Sequence, residues 1–296
     1  MRALDAAAAD TERVLGTLLA AQPADGEIAR PQRVIDAMRY SALGGGKRLR
    51  PFLVVESAAL FEVPRERALL AGAALECVHC YSLVHDDLPS MDDDAVRRGR
   101  PTLHIAFDEA TAILAGDALL TLAFEILSDP ATHPDPAIRA ELVLLLAKAG
   151  GWRGMALGQA LDLSAGRQGF GIAEIAEMQA LKTGALFRFA CEAGAVLGRA
   201  EPSERAALVS YASSFGQAFQ LADDLLDAQG DAASLGKAVA KDEARGKATL
   251  VALLGAEAAK ERLWTLLQEA EAALAPFGAR ATTLLETARF AAHRKS

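Results

Sequence analysis

Long segments rich in alanine and leucine run through the whole of this 296-residue chain, and glycine or proline separates them. Alanine and leucine are strong helix formers, whereas strands prefer β-branched and aromatic residues, and aromatic residues make up only 5% of the chain. No stretch shows the apolar–polar alternation that indicates a strand. The sequence therefore predicts an all-α fold. We expect a single domain over residues 1–296, because hydrophobic residues make up 52% of the chain and can fill one large core.

The glycine and proline breaks indicate where the individual helices begin and end. The longest polar segment, 229–247, is predicted to be a loop or a lid. The predicted helices lie at 2–21, 31–43, 49–61, 65–88, 106–128, 136–150, 152–165, 172–198, 203–228, 248–254, 257–273 and 278–292.

Charge and cysteine usage narrow the class of protein. The formal net charge of −8 argues against nucleic acid as the main partner. We see no uninterrupted apolar run of about 18 residues and no signal peptide pattern, so the sequence predicts no membrane span and a cytoplasmic protein. Cys77, Cys80 and Cys191 are a sparse, odd set, which suits a reducing compartment. The pair Cys77 and Cys80 could serve zinc or redox chemistry, but the apolar surroundings favour packing inside a helix.

A first acidic cluster follows the apolar stretch 73–84 and begins with Asp86 and Asp87. Pro89 disfavours helix at the residue before it, so these two carboxylates should lie at a helix C-terminus. The helix dipole opposes negative charge at that end. Asp92 follows Pro89, where the chain can fold back and bring its carboxylate toward Asp86 and Asp87. A bound cation would offset the repulsion within the cluster.

A second acidic cluster, Asp223, Asp224 and Asp227, continues an apolar helical segment without a break. Asp223 and Asp227 are four residues apart and share one helix face, where two like charges are destabilising. A shared divalent cation would remove the problem, and ligands that are all oxygen suit Mg²⁺, which completes its shell with water and substrate phosphate. Either cluster alone could be a solvated surface run of charge, whereas two clusters that each end an apolar segment favour metal binding.

Basic residues in several places could bind phosphate directly. The backbone can approach a phosphate closely at Gly44–Gly46, and arginine can form paired hydrogen bonds to it. The spacing is not that of a P-loop, and the arginines after the first acidic cluster could instead form surface ion pairs. The residues concerned are Lys47, Arg48 and Arg50 after the glycines, Arg97, Arg98 and Arg100 after the first acidic cluster, Lys182 in an apolar helix, and Lys237 and Lys247 in the polar segment.

Taken together, these features resemble the trans-isoprenyl diphosphate synthases, and most closely the bacterial farnesyl diphosphate synthases. The matching segments are GGGKRLRP, HDDLPSMDDDAVRRGRPTLH, AGDAL, GMALGQALDL, KTGALF, FGQAFQLADDLLD and the GK…GK segment, which together run from Gly44 to Lys247. The resemblance implies an all-α isoprenoid synthase type I helical bundle with a central active-site cavity, usually a homodimer. It also implies condensation of isopentenyl diphosphate with an allylic diphosphate, dimethylallyl or geranyl, to give farnesyl diphosphate and release diphosphate.

The resemblance further implies roles for individual residues. Asp86, Asp87, Asp92, Asp223, Asp224 and Asp227 hold three Mg²⁺ ions on the allylic diphosphate. Arg97, Lys182 and Lys237 contact that diphosphate, Lys47, Arg50, His79 and Arg98 bind isopentenyl diphosphate, Thr183 and Gln220 lie near the reacting carbon, and Lys247 completes a closing segment. Gln159 and Asp162 match a further, supporting motif.

Product length is expected to depend on the side chains below the first acidic cluster. Tyr81 lies five residues before Asp86, and an aromatic residue there resembles a floor that limits the product to fifteen carbons. Ser82 lies more directly beneath Asp86 on the helix, and Tyr81 could instead be a core residue. A geranylgeranyl diphosphate synthase is the nearest alternative. A terpene cyclase usually lacks the second basic site, and a non-catalytic partner subunit would be expected to have degraded aspartate motifs.

Overall fold

The computed structural model describes residues 2–22, 30–233 and 249–292. In these residues nearly all regular structure is helical, which confirms the predicted all-α class. The elements are α1 (Arg2–Leu18), α2 (Gln32–Ala42), α3 (Leu49–Ala59), α4 (Arg65–Asp86), β1 (Val96–Arg97), β2 (Arg100–Pro101), α5 (Leu103–Ala106), α6 (Glu109–Ser128), α7 (Pro136–Gly150), α8 (Met155–Gln168), α9 (Ile172–Gln179), a π-helical turn (Ala180–Gly184), α10 (Ala185–Leu197), α11 (Pro202–Ala233), α12 (Leu250–Leu254), α13 (Ala256–Leu274), a 3₁₀ helix (Ala275–Ala281) and α14 (Thr282–Ala292).

The chain packs as two compact units, Met1–Ala59 with Val63–Leu144 and Leu60–Glu62 with Leu145–Ser296. The expectation of one domain stays a prediction.

Helix α4 is the central helix of the first unit, and it packs against α3 and α6. Its middle turns, from Ala71 to Val78, are entirely buried. A Cβ at Gly72 would lie 3.1 Å from the Cα of Pro51, so the glycine lets α3 approach closely. Asp108 caps the neighbouring helix α6 by accepting a 2.7 Å hydrogen bond from the backbone N–H of Thr111. This packing fixes the end of α4 that carries the first acidic cluster.

Helix α11 has the corresponding place in the second unit, where it packs against α10 and α13. Aromatic rings join it to α10, with centroids 5.2 Å apart for Phe187 and Phe215 and for Phe187 and Phe219. The hydroxyl of Tyr211 donates a 2.8 Å hydrogen bond to the carbonyl of Leu284 in α14. These contacts hold the helix that carries the second acidic cluster.

Three features differ from the sequence predictions. The antiparallel pair β1 and β2 was not expected, and its two-residue strands are too short to show an alternating pattern. The predicted helix 172–198 is interrupted by the π-helical turn at 180–184. Helix α11 continues to Ala233, so the polar segment predicted to begin at residue 229 starts inside a helix. The rest of that segment, 234–247, lies outside the described residues.

Two helices, α4 and α6, are long and apolar enough to cross a membrane by length and composition alone. Core helices of water-soluble proteins pass the same test, and 67% of the apolar window of α4 and 44% of that of α6 are buried within the protein. The predicted absence of a membrane span stays a prediction. Cys77 and Cys80 are buried in α4 and form no disulfide, as expected for packing inside a helix.

Candidate active site

The first acidic cluster folds back onto the end of α4. Asp86 is the last residue of the helix and Asp87 follows as its C-cap. The backbone N–H of Asp92 donates a 2.8 Å hydrogen bond to the carbonyl of Asp86, and that of Asp94 donates a 3.2 Å hydrogen bond to the carbonyl of Asp87. The loop therefore returns Asp92 to the helix end, as the sequence predicts.

The carboxylate of Asp87 is buried, and it pairs with Arg97. Its Oδ1 atom lies 2.6 Å from Nη2 of Arg97 and also accepts a 2.7 Å hydrogen bond from Nε. Burial raises the pKa of Asp87, and the guanidinium of Arg97 opposes that rise. Arg97, expected to contact diphosphate, is thus held by a carboxylate of the same loop.

The strands β1 and β2 bring basic residues to the glycine turn. Arg98 donates a 2.6 Å hydrogen bond from Nη1 to the carbonyl of Gly45. A Cβ at Gly46 would lie 2.6 Å from the same nitrogen, and the φ of Gly46 is +128°, a backbone conformation that favours glycine. The guanidinium of Arg100 stacks over the ring of Tyr40 at 4.0 Å. A cavity of about 70 Å³ lies beside these groups, and Asp87 and Arg97 also line it.

The residues expected to bind isopentenyl diphosphate include Arg50 and His79, which the structure brings together. Nη1 of Arg50 lies 3.5 Å from Nε2 of His79. Burial lowers the pKa of His79 well below its usual value, and the positive charges of Arg50 and Arg98 lower it further. These effects favour the neutral imidazole of His79. Lys47, at the end of the glycine turn, is exposed.

Arg48, which the sequence groups with the candidate phosphate-binding residues, is instead held by contacts inside the protein. Its φ is +48°, and its side chain is fully buried. Nη1 lies 2.7 Å from Oε1 of Glu76 on α4, and Nη2 donates a 2.7 Å hydrogen bond to the carbonyl of Ala42 at the end of α2. Arg48 thus anchors the segment that carries Lys47 and Arg50. No periodic signal marks it, because it lies in a loop among other basic residues.

The two residues linked to product length lie on α4. The ring of Tyr81 meets that of His85 edge to face, with centroids 5.7 Å apart. Burial raises the pKa of Tyr81, and the negative charge of Asp86 adds to the rise. Ser82 donates a 2.9 Å hydrogen bond to the carbonyl of His79.

In the second acidic cluster, the middle residue is again the buried one. Asp224 accepts a 3.0 Å hydrogen bond from Nε2 of Gln179 and a 2.9 Å hydrogen bond from Nε2 of Gln220. Burial raises the pKa of Asp224, and these hydrogen bonds oppose the rise. Asp223 is half-buried and Asp227 is exposed, one turn apart on the same helix.

Lys182 and Thr183 lie in the π-helical turn. Nζ of Lys182 forms a 2.6 Å ion pair with Oδ2 of Asp162 on α8. The hydroxyl of Thr183 donates a 3.2 Å hydrogen bond to Oε1 of Gln220, so Thr183, Gln220 and Asp224 form one chain of hydrogen bonds. Single π-helical turns occur frequently at functional sites. Lys237 and Lys247 lie outside the described residues.

The donor set suits a hard cation. Within the described residues, no three acidic, histidine or cysteine side chains converge into a ready metal site. Magnesium does not need one, because it is usually held by one or two carboxylates, with water and substrate phosphate completing its shell. The pair Asp86 and Asp92 and the pair Asp223 and Asp227 supply that number of carboxylates, so the residues fit the ion.

Comparison with known proteins gives consistent matches. The family profile described as polyprenyl synthetase matches residues 31–276. The farnesyl diphosphate synthase of Escherichia coli strain K12 is 48% identical over 245 residues, which cover 81% of this chain and 81% of that protein. The farnesyl diphosphate synthase of Haemophilus influenzae is 43% identical over 271 residues, with 89% of each chain covered.

Solved structures match over nearly the full length. An FPP/GFPP synthase from Zymomonas mobilis has a TM-score of 0.86 and is 46% identical, with 97% of this chain and 96% of that chain covered. A geranyltransferase from Legionella pneumophila also has a TM-score of 0.86 and is 34% identical, with 99% and 97% covered.

Proposed function

Because the chain belongs to the polyprenyl synthetase family, we infer that it is a trans-prenyltransferase that condenses isopentenyl diphosphate with allylic diphosphates to make farnesyl diphosphate. Its fold is the all-α type I isoprenoid synthase fold, as predicted. The resemblance to the farnesyl diphosphate synthases is confirmed by relatives of that name that match over most of the chain.

One observation in the structure supports this function most directly. The first unit carries two kinds of diphosphate-binding chemistry side by side: the acidic loop at the end of α4, and the basic pocket that Arg97, Arg98 and Arg100 line. Carboxylates bind diphosphate through a divalent ion, whereas guanidinium groups bind it directly. A condensing enzyme needs both, because each of its two substrates carries a diphosphate.

We propose that the enzyme uses Mg²⁺, with Asp86 and Asp92 as primary ligands in the first unit and Asp223 and Asp227 as primary ligands in the second. Asp87 and Asp224, also expected as ligands, are buried against hydrogen-bond donors, which supports an orienting role for them. When bound, magnesium neutralises the diphosphate leaving group. Three ions, and a single diphosphate held by both clusters, remain predictions from the sequence.

The proposed steps follow from the charges of the chain. The allylic carbon–oxygen bond breaks, and the electron pair leaves with the diphosphate. The negative end of a dipole in the π-helical turn, such as the hydroxyl oxygen of Thr183, stabilises the allylic carbocation. The alkene of isopentenyl diphosphate then attacks, and the leaving diphosphate accepts the proton. The lowered pKa of His79 supports this assignment, because a neutral imidazole among arginines is a weak base.

Product length is proposed to be fifteen carbons, with Tyr81 as the floor below Asp86. A geranylgeranyl diphosphate synthase of Cyanophora paradoxa is 37% identical over 267 residues, so the longer product is the second candidate. The relatives named farnesyl diphosphate synthase reach higher identity, which favours the shorter product.

We propose that the enzyme is a cytoplasmic homodimer. This proposal rests on the resemblance to the trans-isoprenyl diphosphate synthases, which are usually homodimers. Light scattering on the purified chain should give twice the mass of 31.1 kDa.

The test of the function is incubation of the purified chain with isopentenyl diphosphate, Mg²⁺ and each allylic starter, followed by chromatography of the dephosphorylated alcohols. We expect farnesol from dimethylallyl and from geranyl diphosphate, and no product when either isopentenyl diphosphate or Mg²⁺ is omitted. Product formation without isopentenyl diphosphate would indicate a cyclase. No product under any condition would support a non-catalytic subunit.

A further inference from the structure

One buried side chain of the second unit, Gln159 on α8, makes no hydrogen bond to any part of the chain that the structure describes. Its Oε1 and Nε2 atoms are both shielded from solvent, and only 9% of the residue is exposed. A buried polar group without partners destabilises the folded protein. Native proteins retain few such groups, and each calls for an explanation such as a catalytic role or a bound partner.

The position of Gln159 suggests what that partner is. The preceding residue, Gly158, packs so closely on the π-helical turn that a Cβ there would lie 2.2 Å from the backbone nitrogen of Lys182. Three residues after Gln159, Asp162 holds Nζ of the same lysine at 2.6 Å. Gln159 therefore lies within the turn of α8 that packs against Lys182.

A second glutamine beside the π-helical turn, Gln220, differs from Gln159 because its amide is paired. The oxygen of Gln220 accepts from the hydroxyl of Thr183, and its nitrogen donates to Asp224. Both ends of that amide are committed within the chain. Of these two glutamines beside the π-helical turn, Gln159 is the one whose oxygen has no donor.

We propose that Gln159 is a further catalytic residue, whose amide oxygen stabilises the positive charge that develops on the allylic carbon. This inference rests on the proposed function. Gln159 forms no covalent bond in the step: the carbon–oxygen bond breaks, diphosphate takes the electron pair, and the amide dipole compensates the resulting charge. A preorganised dipole in a site without water acts most strongly at the moment when charge appears. The unpartnered amide destabilises the enzyme without substrate. In the transition state, its interaction with the positive allylic carbon offsets that cost.

The test is Gln159→Met, which keeps the length of the side chain and removes the amide. Because an unpartnered polar group leaves the interior, the melting temperature should be equal to or higher than that of the wild type. The kcat should fall by roughly tenfold or more, since one stabilising dipole is lost. The KM for isopentenyl diphosphate should stay within about twofold, because the other substrate is not contacted.

A matched control is Ser57→Ala in α3. Its hydroxyl is also buried without a partner among the described residues, but it belongs to the first unit and to no predicted site. This variant should keep or raise the melting temperature and leave kcat unchanged.

Three results would overturn the role of Gln159. A lower melting temperature or failure to fold in Gln159→Met would show that the amide is structural. An unchanged kcat would show that it has no role in the reaction, and a raised KM with unchanged kcat would assign it to ground-state binding alone. A wild-type chain that elongates no substrate would instead contradict the proposed function, so the two failures are distinguishable.

Discussion

The buried pair of Arg48 and Glu76 allows a quantitative prediction for Arg48→Met. The side chains of the two residues are 0% and 3% exposed, and their closest atoms are 2.7 Å apart. Removing one partner of a buried pair leaves an uncompensated charge and costs about 3–5 kcal/mol. The second pair, from Arg48 to Glu12 at 3.1 Å, is 43% exposed on the glutamate side and adds at most about 1 kcal/mol.

For a chain of this size each kcal/mol lowers the melting temperature by about 2–4 °C, so a total cost of about 3–6 kcal/mol should lower the melting temperature by about 6–24 °C relative to the wild type. Calorimetry measures the shift, and urea unfolding followed by circular dichroism measures the free energy of unfolding. The KM for isopentenyl diphosphate should also rise, because Arg48 anchors the segment between Lys47 and Arg50.

Two variants make the comparison decisive. Arg289→Met removes an exposed pair with Glu271 of the same 2.7 Å length and should cost less than about 1 kcal/mol. The double variant Arg48→Met/Glu76→Leu should recover most of the lost stability, since apolar residues often replace a buried pair without loss. If Arg48→Met proved as stable as Arg289→Met, the reasoning from burial would be refuted.

The remaining predictions concern metal, product and pH. Asp86→Ala or Asp223→Ala should lower turnover by about 100-fold or more while circular dichroism stays unchanged, and near-normal turnover in either variant would contradict the metal assignment. Tyr81→Ala should yield alcohols longer than fifteen carbons, and an unchanged chromatogram would remove the tyrosine from that role. The folded-state pKa of His79 lies below its ordinary value of 6.5, so the unfolded chain binds the proton first and stability should fall as pH decreases below about 6.5. His79→Gln should flatten this pH dependence in urea titrations, and an equal slope in both proteins would exclude the histidine as its source.

Helices with a strong apolar face and a clear break were predictable from the sequence. The prediction for 65–88 matches α4, because Pro64 and Pro89 bracket a continuous apolar segment. The prediction that a loop begins at residue 229 was wrong. Helix α11 continues to Ala233, since no proline ends it earlier. The pair β1 and β2 was missed because only four residues form it.

Side-chain partners were less predictable than helices. The sequence identified the aspartates as a group, but it could not show which of them are buried. Asp87 is buried against Arg97, and Asp224 is buried against Gln179 and Gln220. Arg48 likewise differs from Lys47 only through its left-handed backbone and its burial. Such differences depend on tertiary contacts and not on local residue pattern.

The π-helical turn at 180–184 limits which insertions and deletions the sequence can accept during evolution. A π-helical turn contains one residue more than the α-helical turn it replaces, so the helix surfaces on either side are out of phase by about 100°. Deleting one residue there would give a smoother helix and would rotate all of α10 away from its neighbours. An insertion or deletion at this turn should consequently disrupt the packing of α10 in the second unit.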